Sequence, residues 1–120
     1  MSHNTVYAGM YLRENVVPGN SFERQYICVN SSDIAVDITG YDVRWKGVYG
    51  DHTIFKSLAN GTLQVPDPTN GAINFYLSPE ETRLVPINDA MRYELELSAF
   101  PTQITVLSGD LVGHGGYNAD

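Results

Sequence analysis

"GYDVRWKGVY" (residues 40–49) sets Tyr41, Val43, Trp45, Gly47 and Tyr49 at alternate positions, with Asp42, Arg44 and Lys46 between them until Val48 breaks the rule. Side chains of a strand project alternately to opposite faces, so this stretch predicts a ribbon with one apolar and one charged side. The same period recurs in "AINFYL" (72–77) and "MRYELELSAF" (91–100), which turn Ile73, Phe75, Tyr93, Leu95 and Leu97 one way and Arg92, Glu94 and Glu96 the other. Val43, Trp45, Ile73, Phe75, Tyr93, Leu95 and Leu97 are therefore the predicted core. If 41–49 lies beside 91–99, Arg44 and Lys46 meet Glu94 and Glu96, while Trp45 packs with Leu95 and Phe75.

Working outward, strands are expected over "TVYAGMYL" (5–12), "SFERQYICV" (21–29), "IAVDI" (34–38), "HTIFKSL" (52–58) and "QITVLSGDLV" (103–112). Gly50-Asp51 suits a hairpin turn, and "ANGTLQVPDPTNG" reads as a loop with a weak strand around Leu63 and Val65. In "SPEE", Ser78 can cap, Pro79 fits the first helical position and Glu81 can close a capping box, which predicts one short helical turn near residues 79–82. Seven or eight short strands with one such turn describe an all-β antiparallel sandwich. The expected organisation is a single domain over 1–112 and a flexible, glycine-rich tail, "GHGGYNAD", over 113–120.

The charge balance bounds the partners. Fourteen acidic against seven basic residues give a formal net charge of −7, and the basic residues are scattered from Arg13 to Arg92. Binding to DNA or RNA needs clustered cations, so no nucleic-acid partner is expected. No apolar run approaches the ~20 residues that span a bilayer, and the opening "MSHNTVYAGMYLREN" has no basic start followed by an apolar core. The expectation is a chain made in a cytoplasm and not bound to membrane. Cys28, the single cysteine, sits in the apolar run "YICV", where burial is its usual fate and no neighbouring cation activates a thiolate. The triplets at Asn30 and Asn60 that match a glycosylation pattern read as turns.

No constellation carries catalysis. His3, His52 and His114 have no second ligand at metal spacing, and Asp67, Asn70 and Asp89 lack the alternating oxygens of a calcium loop. Glu94 and Glu96 share a strand face expected to be solvated, and Ser57, Ser98 and Ser108 lack a nucleophile-elbow context. No catalytic residue, metal or cofactor is assigned. The excess of eight tyrosines is more informative, because tyrosine is enriched where protein meets protein. Tyr7, Tyr11, Tyr76 and Tyr117 fall outside the inward register and are the candidate interface residues. A sugar platform would need such an exposed ring beside carboxylates, and Tyr76 near Glu80 offers one place for it.

The order of "DITGYDVRWKGVYGD", "LANGTLQVPDPTNGAINFYLSPEETRLVP", "MRYELELS" and "ITVLSGDLVG" resembles small immunoglobulin-like β-sandwich proteins of tailed-phage structural genes. It is similar to the amino-terminal domains of baseplate upper proteins over residues 38–112. The resemblance implies a non-enzymatic virion structural protein that contacts copies of itself or other tail, baseplate or fibre components. Two alternatives stand beside it: a capsid decoration (cement) protein, and a carbohydrate-binding module that recognises host glycan. Residues 1–12 and 113–120 are expected to be contact elements ordered by neighbours, because the glycines of "GHGGYNAD" carry a large entropy cost and Tyr117 alone buries too little area to offset it.

Overall fold

Two sheets close over the side chains that the alternation turns inward. The computed structural model describes residues 2–7, as backbone, and residues 10–115. Nine strands follow one another among them: β1 (Ser2–Tyr7), β2 (Met10–Val16), β3 (Phe22–Val29), β4 (Asp42–Tyr49), β5 (His52–Ser57), β6 (Gln64–Asp67), β7 (Ala72–Leu77), β8 (Ala90–Ala99) and β9 (Thr102–Gly113). The four-stranded sheet has the order β1-β3-β7-β6 and the five-stranded sheet the order β2-β9-β8-β4-β5. This is an all-β sandwich, with the Trp-bearing strand, β4, inside the larger sheet. Most ladders are antiparallel, but β1 pairs in parallel with β3 and β2 in parallel with β9, so the chain enters by lending one strand to each sheet.

The register across β4 and β8 sets Trp45 opposite Leu95, Lys46 opposite Glu94 and Arg44 opposite Glu96. Arg44 reaches Glu96 only at 4.0 Å and bonds Asp42 at 3.0 Å, so these exposed charges fix alignment more than they add stability. Inside, the Trp45 ring lies 4.5 Å from Phe75 and 5.2 Å from Tyr93, and Val43, Ile73, Leu95 and Leu97 are buried around them. Each such side chain contributes ~1.5–3 kcal/mol of apolar burial. Gly47 makes the room. A Cβ there would stand 2.7 Å from the Trp45 indole, so the residue two positions beyond the tryptophan on the same face must be bare.

The turn predicted at 79–82 is α1 (Pro79–Thr82), with both halves of the Ser78–Glu81 capping box formed. Glu81 also accepts from Lys56 Nζ at 2.8 Å. Lys56 points to the inner face of edge strand β5 and is nearly buried there, so the helical turn supplies the counter-charge that its position requires.

Three expectations need correction. The stretch 34–38 is not a strand. Only an isolated bridge joins Ala35 to Val29, Ile34 is 60% exposed, and the N–H groups of Val36 and Ile38 bond the carbonyls of Cys28 and Pro68. Its alternation belongs to a connection that ties β3 to the 3-10 turn Pro68–Asn70. The stretch 5–12 is divided between β1 and β2, and residues 10–12 are held by β9 of their own sheet, not by a neighbour. The tail boundary drawn after residue 112 falls inside β9, because Gly113 is paired and buried and His114 N–H donates to Val16 O.

Candidate functional site

Buried polar chemistry is concentrated at Glu14. Alternation along β2 turns Leu12, Glu14 and Val16 inward, and the Glu14 carboxylate is buried, its side chain 5% exposed. Three donors of the described residues meet it there. Tyr26 Oη of β3 donates to Oε1 at 2.8 Å, Tyr93 Oη of β8 donates to the same oxygen at 2.9 Å, and Arg24 Nε donates to Oε2 at 2.8 Å. Burial, together with the neighbouring carboxylate charge, pushes both tyrosine hydroxyls well above their ordinary range, so they stay protonated as donors. Because Tyr26 and Arg24 belong to the four-stranded sheet and Glu14 and Tyr93 to the other, the cluster ties the two sheets together. Every partner faces inward, so the arrangement is structural.

On the outer face of the five-stranded sheet a groove of about 550 Å³ crosses β2, β9, β8 and β4. Tyr11 and Val48 provide apolar walls, and Lys46, Arg92, Glu94, Ser108 and Asp110 the polar lining. The Tyr11 hydroxyl donates to the Asp110 carboxylate, which holds the tyrosine above its usual range and fixes a ring that is 61% exposed. Lys46, Arg92 and Glu94 make no side-chain hydrogen bond or ion pair among the described residues. This face also carries Arg13, Arg44, Asp42 and Glu96. It thus holds four of the seven basic residues and is formally neutral in a chain of charge −7.

A third feature is the β8–β9 hairpin. Among the described residues β2 meets β9 only from Leu107 onward, so residues 102–106 of β9 have β8 on one side and no described β2 partner on the other. At its tip Phe100, followed by Pro101, is 99% exposed, and Ile104 is partly exposed beside it.

Of the candidate interface residues, Tyr11 lies in the groove. Tyr76 is 45% exposed on the outer face of the other sheet, opposite Glu23, in a smaller depression with Gln64 and Asn74. The two rings are on opposite faces and form no common patch. The backbone of Tyr7 is in β1, its side chain is outside what the structure describes, and Tyr117 lies outside the described residues. Sequence reasoning missed Glu14, Phe100 and the groove. An isolated Glu in "YLREN" looks solvated. Only its sharing a strand face with the apolar Leu12 and Val16 could have flagged it.

No family model and no curated protein matches the chain. Among solved structures it is similar to the N-terminal domain of phage TP901-1 ORF48, with a TM-score of 0.55 and 9% sequence identity over 95% of this chain and 99% of that one. The likeness is one of fold.

Proposed function

We propose that this chain is a non-enzymatic structural part of a tailed-phage particle, assembling with other virion proteins in the tail, baseplate or fibre attachment. The observation that carries the reading is the β8–β9 hairpin. Phe100 is almost fully exposed at the tip and residues 102–106 next to it have no β2 partner among the described residues, a combination that a partner surface can cover. The edge can extend a neighbour's sheet while Phe100 fills an apolar socket. The fold shared with a phage domain supports the address. Repeated copies related by the particle's symmetry would use the same hairpin.

The test is incorporation. Phe100→Ser should leave the melting temperature within a degree or two of the parent, because the ring touches little of its own domain, while reducing the copies found in purified particles at least several-fold. Normal incorporation of the variant would remove the hairpin from the interface. Absence of the parent protein from purified particles would overturn the assembly reading itself. Antibody-labelled particles viewed by electron microscopy would distinguish tail from head.

A further inference from the structure

We infer that the groove on the five-stranded sheet is a binding site for a neutral, polyhydroxylated ligand, a pyranose-based oligosaccharide of about two to three rings. The inference is independent of the assembly reading, since the groove and the hairpin tip share no residue.

Five observations converge on it. The Tyr11 ring is presented to solvent yet pinned through its hydroxyl by Asp110, so little freedom remains to be lost when an apolar C–H face stacks on it. The groove offers acceptors and donors side by side: Glu94 faces Lys46 across one ladder and Ser108 across the next. A sugar hydroxyl both donates and accepts, and it is the ligand group that such an alternating lining satisfies. Lys46, Arg92 and Glu94 are uncommitted among the described residues, so binding would break no internal ion pair.

Charge decides between ligand classes. Within the groove Lys46 and Arg92 are balanced by Glu94 and Asp110, so there is no net positive field to select a phosphate or a polyanion. Size agrees as well. Three strand spacings separate Tyr11 on β2 from Lys46 on β4, roughly 14 Å at ~4.8 Å per spacing, and the volume lies within the range of small-ligand clefts.

The experiment is a glycan array presenting neutral and acidic oligosaccharides of two to six sugars, followed by calorimetric titration of the tightest hit. Neutral glycans are expected to bind, with an affinity that changes less than twofold between 50 and 500 mM salt (~0.05–0.5 M, where steered ionic contacts would weaken strongly). Tyr11→Ala and Glu94→Gln should each weaken binding about tenfold or more, whereas Tyr76→Ala, on the opposite face, should leave it unchanged. Both groove positions are exposed, and an unaltered far-UV spectrum and melting temperature would certify folding. Binding of acidic glycans alone, loss on Tyr76→Ala in place of Tyr11→Ala, or no binding to any glycan at ~1 mM would each overturn the assignment.

Discussion

Trp45 shows what a single residue can decide. Its indole is buried against Phe75 and Tyr93, with Gly47 left bare to admit it, yet its Nε1 has no acceptor among the described residues. Packing therefore outweighs an unmet hydrogen bond that by itself costs ~1–3 kcal/mol. Trp45→Ala should destabilise by about 3–5 kcal/mol in urea unfolding, and Trp45→Phe by clearly less, because it keeps an aromatic ring and deletes the unpaired N–H. Glu14 is the opposite case, a polar group whose loss leaves others stranded. Glu14→Ala removes the acceptor of Tyr26, Tyr93 and Arg24 and should cost about 3 kcal/mol, while Tyr93→Phe deletes one bond and should cost about 1 kcal/mol. Equal losses in the two variants, measured by the same unfolding curves, would mean that the carboxylate is not the centre of the cluster.

Among the elements, α1 and edge strand β5 are joined by the Lys56–Glu81 pair. Partial burial works against the Glu81 charge, but the hydrogen bonds from Lys56 and Ser78 outweigh it and hold the carboxyl below its ordinary value of 4.5. A folded-state value below the unfolded one means that this stabilisation is complete above about pH 4.5 and disappears as pH falls through the folded value. Melting temperatures at pH 7 and pH 3 should therefore differ less for Glu81→Gln than for the parent. Elements were also where sequence reading was strongest. The alternation in β4, β7 and β8 is legible because each has one face in the core, and the Ser78–Glu81 box is legible because its bonds are local. Alternation reports burial and says nothing of the partner, so the parallel pairings of β1 and β2 were not legible, and residues 34–38 imitated a strand. The groove was illegible for a related reason: Tyr11 and Ser108 are neighbours only through the β2–β9 ladder.

At the scale of the whole molecule, the two proposed roles would use separate surfaces of one small sandwich, the β8–β9 hairpin for assembly and the formally neutral sheet face for a small ligand. What holds the two sheets together has a further consequence. Many immunoglobulin domains join their sheets by a cystine beside the tryptophan. Here the tie is a carboxylate shared by Tyr26, Tyr93 and Arg24, and the one thiol, Cys28, is buried, with its value pushed up to about 11 by desolvation. Neither depends on redox state. The melting temperature should be the same in millimolar dithiothreitol as in air-oxidised buffer, and Cys28 should resist alkylation until the protein unfolds. A fold closed in this way is indifferent to the redox boundary that a cell envelope imposes, and its stability is the same on either side.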